Sequence, residues 1–409
     1  MRRTAAPFLR PTVAIAAVAT VAAAIARFGG AGQVVRFAIA GVALAVLAAV
    51  IGAAIEDVGE HLGPGATGLL QSTLGNLPEL FVGIFALSDG LLTVVRAALI
   101  GSMLGNAVLV LGCAFVAGGL RHGTQRFDPE EPRLYGSLLL LAVAALLVPT
   151  LAHHLSTPAA RHTSTLSSIC AGVLLAVYAC SVPYTLRRSH PTAAVDPEAA
   201  ADSEATADPA PAGAESAAGA APAGHPEPGA GAPVAGGPPV AGGDPSPAAD
   251  ALPRADVPPL GPSIILLVAA SAGAAFVSEW FVGALEPAIR TLGLTPTFTG
   301  LVVVAIASNA VENAVGVRFA WRARPAFAVT TTLASPLQVA LFLTPVLVLL
   351  SNFIGPSPLT LVFPTLLVVA VGISTVVVVS VVFDGEYTWI EGAALLGLYV
   401  MLASSFWWG

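Results

Sequence analysis

The chain of 409 residues is 56% hydrophobic and only 10% charged, with a mean hydropathy of +0.83. That leaves too little polar surface to wrap a soluble globular body, which excludes the water-soluble classes and puts the chain in a bilayer. Its formal charge of −7 arises in one tract: residues 190–259 hold ten Asp or Glu, from Asp196 to Asp256, against Arg254 alone, and the remainder is close to neutral.

In chain order, eleven apolar runs cover roughly residues 11–28, 35–58, 65–88, 92–119, 133–152, 163–186, 260–283, 295–320, 326–352, 357–383 and 388–407. Most reach the roughly 20 residues a helix needs to cross the hydrocarbon layer. They are continuous Ala, Val and Leu stretches, not the alternating pattern of a barrel strand, so the fold class is an all-α polytopic membrane protein of about eleven transmembrane helices. Met1-Arg2-Arg3 ahead of an Ala-rich run also has the features of a secretory signal; the run is read as a retained helix. Residues 1–32 then form an extra N-terminal helix, 33–189 a first five-helix repeat and 260–409 a second. The acidic Ala/Pro/Gly tract 190–259 lacks the large apolar groups that offset ordering entropy and is expected to be a disordered, solvated spacer.

Sidedness follows from the arginines, since no lysine is present. With the amino terminus and the linker in the cytoplasm, twelve arginines lie inside, among them Arg121, Arg126, Arg133, Arg318, Arg322 and Arg324, against five outside. A repeat of five helices is odd, so the second copy enters the membrane inverted. The five tryptophans fall near expected helix ends, where an amphipathic ring prefers the interface. Cys113, Cys170 and Cys180 lie apart within apolar runs, so they are expected to be small core residues and to form no disulfide framework or Cys/His metal site.

Two short stretches break the apolar pattern: Gly75-Asn76-Leu77-Pro78-Glu79 and Ser308-Asn309-Ala310-Val311-Glu312. An ungapped overlay pairs Asn76 with Asn309, Glu79 with Glu312, Gly83 with Gly316 and Ser102 with Ser335, so one ancestral unit occurs twice. An ionised carboxylate at a helix centre costs about 3 kcal/mol or more, which calls for compensation. Oxygen is supplied close by. Asn76 and Asn309 each lie one turn before their glutamate; Ser102 and Asn106 share a face of the next helix, as do Ser335 and Gln338 in the second copy. Carboxylate, amide and hydroxyl oxygens are hard ligands of the kind Ca²⁺ takes six to eight of, whereas softer metals want His or Cys. Pro78 and Pro336 interrupt helical hydrogen bonding and free carbonyls. Gly75, Gly83, Gly101, Gly105 and Gly316 are read as close-packing positions. Glu56 and Glu279, with Asp57, are candidates for outer vestibules that attract cations, and Glu391 is read as interfacial.

Gly75-Asn76-x-x-Glu79-Leu80 and Asn309-Ala310-x-Glu312 resemble the two signature motifs of the calcium/cation antiporter superfamily, in its cation/proton exchanger branch. The likeness extends to Gly101 through Gly112, Ser278-Glu279, Gln338 through Phe342 and Asp384 through Gly392. It implies two inverted five-helix repeats plus an N-terminal helix, with Glu79 and Glu312 as shared carboxylates that bind Ca²⁺ and release protons. Asn76, Asn309, Ser102, Ser335, Asn106 and Gln338 complete the expected ligand set. The expectation is therefore a Ca²⁺/H⁺ antiporter and no enzyme, working by alternating access in a prokaryotic cell membrane, with Ca²⁺, H⁺ and lipid as partners and neither resident cofactor nor nucleic acid. A Na⁺-coupled or other cation exchanger is the alternative within transport, and a passive channel lined by the acids is the alternative outside it. The chain departs from the family pattern at Ser308, where Gly is usual, at Asn313, where His is usual, and at Pro78. Asn313 cannot take up a proton, so selectivity and proton stoichiometry stay open at this point.

Overall fold

Eleven helices make up nearly all of the computed structural model, which describes residues 6–62, 70–71, 73–188 and 260–407, with the side chains of residues 6–10, 60, 183–188, 311 and 312 outside that description. The expected spacer 190–259 lies outside the described residues. In chain order the helices are α1 (Ala6–Phe28), α2 (Gln33–Leu62), α3 (Leu77–Ser88), α4 (Leu92–His122), α5 (Glu130–His154) and α6 (Thr163–Arg188). The second half holds α7 (Leu260–Leu292), α8 (Pro296–Phe298 running through Thr299–Val304 into Ala305–Trp321), α9 (Pro325–Leu350), α10 (Thr365–Val382) and α11 (Trp389–Ser405). Among the described residues eight of these are long and apolar enough to cross a bilayer, and α8 makes nine when its bent halves count as one span. The remaining two, α3 and α11, are apolar but only 12 and 17 residues long, so among the described residues length and composition support up to nine spans, and the expected count of eleven is not confirmed.

Two helix ends differ from expectation for local reasons. Helix α7 continues nine residues past 283 because its last turns are held by a Glu286–Arg290 pair at 2.6 Å and stopped by Gly293, whose φ of +67° closes the helix. Trp280 therefore lies well inside α7, edge-on to Phe28 of α1 at 5.9 Å, and not at a helix end. Helix α10 starts late because Pro356, Pro358 and Pro364 hold the preceding chain extended. That strap buries Leu359, Leu361 and Phe363. Its backbone groups are met by side chains: Ser351 Oγ accepts from Leu359 N at 2.7 Å, Ser167 Oγ from Leu361 N at 2.9 Å, and Thr150 Oγ1 from Phe363 N at 3.1 Å.

The connections sort into two groups. On one face, Gly90 meets Pro356, the Gly355 backbone meets the Leu87 carbonyl, Arg96 donates to Thr360 at 3.0 and 3.1 Å, and Thr295 donates to the Phe406 carbonyl. On the other, His122 meets the Trp321 carbonyl, Arg133 donates to the Phe383 carbonyl, and β1 (Gln125–Arg126) pairs antiparallel with β2 (Glu386–Tyr387). Helix α3 thus ends at the first face and α8 at the second, so the two motif helices run in opposite directions. The six arginines at 121, 126, 133, 318, 322 and 324 all belong to the second face.

Helices α2 and α7 pack antiparallel along their length, α1 rides on them, and the pair rests across α3 and α8. The rest of the chain packs around α4, α8 and α9. Cys113 and Cys170 are half-buried, whereas Cys180 is exposed and not a core residue; all three are free thiols.

Candidate functional site

Gly75 and Asn76 form a turn, and α3 starts immediately after it with Pro78 in the first helical turn. The helical interruption expected from Pro78 is present as this turn, with Pro78 just inside the helix that follows. Pro78 occupies the position where a missing N–H costs nothing, and the break falls two or three residues earlier. Glu79 consequently sits in the first turn of a helix, where the unpaired N–H groups favour negative charge, and it is buried. In the second half, the axes of Pro296–Ala310 and Asn313–Trp321 are inclined at 64° across Val311–Glu312. Both motif helices are thus interrupted beside their acid.

Around Glu79 the polar side chains of four helices interlock. Asn76 Nδ2 at the head of α3 donates to Gln338 Oε1 on α9 at 2.9 Å. Asn309 Nδ2 on α8 donates to Ser102 Oγ on α4 at 2.9 Å, and Asn106 Nδ2 on α4 donates to Asn309 Oδ1 at 3.0 Å and to Ser335 Oγ on α9 at 2.7 Å. Each bond joins one half of the chain to the other. All these residues except Gln338 are less than 10% exposed, and such a network is tolerated in an apolar bundle only because its members satisfy one another. One atom is left over. Among the described residues Asn76 Oδ1 is buried without a hydrogen-bond partner; it is a hard oxygen of the kind a Ca²⁺ site takes, and left unsatisfied it costs about 1–3 kcal/mol.

A small cavity of about 30 Å³ opens from this cluster. Glu79, Ser102 and Ser308 form its polar end, and Val82, Gly83, Ala86, Val94 and Val95 carry it toward the face where α3 turns into α4. Close backbone approach shapes the wall: a Cβ on Gly101 would lie 2.1 Å from the Leu301 carbonyl oxygen, and one on Gly83 would lie 2.6 Å from Leu347. The packing role expected of Gly83, Gly101 and Gly316 is met, each being closely approached by another helix, whereas Gly75 meets only Gln71 of its own segment and Gly105, the first residue of a π-helical turn, has open space.

Of the expected ligands, Glu79, Asn76, Asn309, Ser102, Ser335, Asn106 and Gln338 come together, while the side chain of Glu312 lies outside the described residues. Among the described residues no three His, Cys, Asp or Glu side chains gather into a metal cluster. Glu56 and Glu279 are exposed and are not part of the cavity wall. Gly41 lies against Phe281 and Gly273 against Leu47, which fixes the register of α2 on α7. At 1.5 Å per residue this sets Glu56 and Glu279 roughly 20 Å apart along the pair, with Glu56 near the end of α2 and Glu279 well inside α7, not near its end as expected.

Two features escaped the sequence reading. Ser308 lines the cavity, its hydroxyl donating to the Val304 carbonyl at 3.0 Å and accepting from Asn309 at 3.2 Å. π-Helical turns occupy Gly105–Val110 of α4, Thr299–Val304 of α8 and Val339–Leu343 of α9, each flanking a site residue. The first and third fall at matching positions of the two halves.

Interrupted helices of opposite direction, meeting at a buried carboxylate ringed by amides and hydroxyls, define the ion-exchanger class of multi-pass membrane proteins. Residues 32–186 and 262–408 match the sodium/calcium exchanger protein family, and the chain belongs to it. It is 34% identical to a Ca²⁺/H⁺ antiporter of Synechocystis over 92% of each chain, and 29% identical to the Ca²⁺/H⁺ antiporter ChaA of Bacillus subtilis over 91% of this chain and 92% of that one. Among solved structures it superposes on native YfkE with a TM-score of 0.72 at 26% identity, covering 97% of this chain and 100% of the other. The H⁺/Ca²⁺ exchanger CAX, at 13% identity and a TM-score of 0.67, shares the fold, covering 97% of this chain and 92% of that one.

Proposed function

We propose that this protein exchanges Ca²⁺ for protons across a bacterial cell membrane by alternating access, with the carboxyl groups of Glu79 and Glu312 carrying either the cation or the protons. It is a transporter and not an enzyme. The observation that carries the reading is the four-helix cluster that opens into a cavity lined by the buried Glu79 and that holds, among the described residues, a buried amide oxygen, Asn76 Oδ1, with no hydrogen-bond partner. A carboxylate in that setting is held either as the neutral acid or against a cation. Two carboxylates match one Ca²⁺ or two protons, so the site keeps the same charge in both loads. Amide and hydroxyl oxygens from Asn76, Ser102 and Ser308 then replace part of the ion's hydration shell. The first-turn position of Glu79 orients its carboxylate by the helix N-terminus and its proline.

Movement falls to the α2–α7 pair. It lies across α3 and α8, with Gly41 of α2 against Ala307 of α8, a small-residue contact that permits sliding. Glu56, near the end of α2, and Glu279, within α7, are the proposed acidic points of cation entry. The five-helix halves 33–189 and 260–409 are the proposed inverted repeats, with 1–32 outside them and the tract 190–259 joining them on the cytoplasmic side.

The test is uptake of labelled Ca²⁺ into proteoliposomes driven by a pH gradient, with Na⁺, K⁺ and Mn²⁺ in competition. Uptake that collapses with the pH gradient, and that Na⁺ neither replaces nor drives, supports the reading. Uptake down a Ca²⁺ gradient with no proton movement would make the protein a channel, and uptake driven by Na⁺ would make it a sodium-coupled exchanger.

A further inference from the structure

We propose that the face formed by Arg121, Arg318, Arg322 and Arg324 binds the headgroup of an anionic phospholipid. Arg121 ends α4, Arg318 lies in the last turn of α8, and Arg322 and Arg324 flank the short turn into α9. The guanidinium of Arg121 lies over the Trp321 ring at 4.5 Å, and His122 meets the Trp321 carbonyl at 3.1 Å, so the two helix ends form one surface. Arg318 and Arg322 are four residues apart and share a helix face. Between Arg322 and Arg324 the backbone is pinned: Ala323 takes a φ of +54°, and the N–H groups of residues 322 and 324 both donate to the Phe319 carbonyl. The charges are therefore presented on a fixed frame.

Among the described residues none of these four guanidiniums has a carboxylate partner, and all four side chains are exposed. The neighbouring arginines differ. Arg126 is paired with Glu386 at 3.2 Å, and Arg133 donates to the Phe383 carbonyl at 2.6 and 2.8 Å. Carboxylates on the adjoining connections are already engaged: Asp128 accepts from Glu130 N, Glu131 from Tyr135, and Asp384 from Glu386 N. A single cation satisfies a helix C-terminus, so the dipole alone does not account for four at two adjacent ends.

Trp321 and Phe327 are 51% and 57% exposed next to these charges. Aromatic rings beside arginines mark the depth of the headgroup layer, where the ring meets acyl chains and the guanidinium meets phosphate. Planar guanidinium donors suit a phosphodiester oxygen pair, and each such residue at a negative membrane surface adds attraction. A bound headgroup would tie together the ends of α4, which carries Ser102 and Asn106, and α8, which carries Asn309. It would thereby stiffen one end of the frame around the site.

The test uses the full chain in phosphatidylcholine nanodiscs to which phosphatidylglycerol is added, with native mass spectrometry and thermal melting as readouts. The intact protein is expected to retain phosphatidylglycerol over phosphatidylcholine and to melt higher as its fraction rises. Replacing all four arginines by Gln should lower that preference by roughly tenfold or more, while replacement by Lys should keep most of it. A double variant at Arg126 and Arg133 should leave the preference in place. Equal retention of both lipids by the intact protein, or an unchanged preference in the Gln variant, would overturn the proposal. So would a preference that emerges only after residues 191–255 are deleted, because the acidic tract would then be the occupant. Should the Gln variant fail to fold, salt decides: 0.5 M NaCl is expected to erase the preference of the intact protein, and insensitivity to salt would overturn the proposal.

Discussion

Asn106 of the first half and Asn309 of the second are bonded amide to amide at 3.0 Å in the middle of the bundle, and each also reaches a serine of the opposite half. This pair holds the two motif regions in register. Asn309→Ala strips a partner from both Ser102 and Asn106, and Asn106→Ala strips one from both Asn309 and Ser335. Each should cost about 1–3 kcal/mol and lower Ca²⁺ exchange, whereas the double variant should cost less than the sum. Thermal melting in detergent with transport assays measures this, and strict additivity would show that the pair is not coupled.

The α4–α8 crossing rests on Gly101. Gly101→Ala would drive a methyl into the Leu301 carbonyl with no flexible side chain to yield, so a loss of about 1–3 kcal/mol or failure to assemble is expected. Gly105→Ala, four residues on and facing open space, should be nearly neutral or stabilising. Comparing melting temperatures of the two variants reads the difference, and equal effects would remove the crossing from the account.

The polar pattern was the legible part of this chain. A carboxylate and an amide recurring at one spacing inside apolar helices is expensive unless used, so Glu79, Asn76, Asn309, Ser102 and Asn106 stood out and the structure gathers them. Helix identities were legible for the same reason, through long apolar runs. What escaped detection depends on backbone. The interruption near Pro78 was legible, but not that a new helix starts right after Gly75–Asn76 with the proline in its first turn, although proline just inside a helix start is a common signature. π-Turns carry no residue signature, and the strap before α10 is set by which side chains meet its backbone groups.

At the second face, Tyr387 of β2 is fully buried and stacks on Phe115 with centroids 3.9 Å apart, yet among the described residues its hydroxyl has no hydrogen-bond partner. Burial pushes that phenol up to about 12, so it stays neutral throughout the physiological range. Tyr387→Phe should therefore be neutral or mildly stabilising, and Tyr387→Ala should cost about 3–5 kcal/mol by leaving a cavity against Phe115. Unfolding midpoints separate the two, and a large loss in the Phe variant would reveal a partner for the hydroxyl.

Asn313 follows Glu312 directly and, among the described residues, keeps a buried amide oxygen without a hydrogen-bond partner. Asn313→His would place a group that titrates near pH 6.5 beside the proposed proton carrier. The exchange rate of the variant should acquire a step in its pH profile between about pH 6 and 7 that the native chain lacks. Coincident profiles would show that this position does not feel the transported proton.

The most direct measurement of the central claim is Ca²⁺-dependent proton movement, followed with a pH-sensitive dye inside proteoliposomes, for the native chain and for Glu79→Gln and Glu312→Gln. Gln keeps the size and the oxygen but can neither release a proton nor balance a cation. Loss of both Ca²⁺ uptake and proton release in each variant is the expected result. Undiminished exchange in either one would contradict the assignment of that carboxylate as a shared carrier of Ca²⁺ and protons.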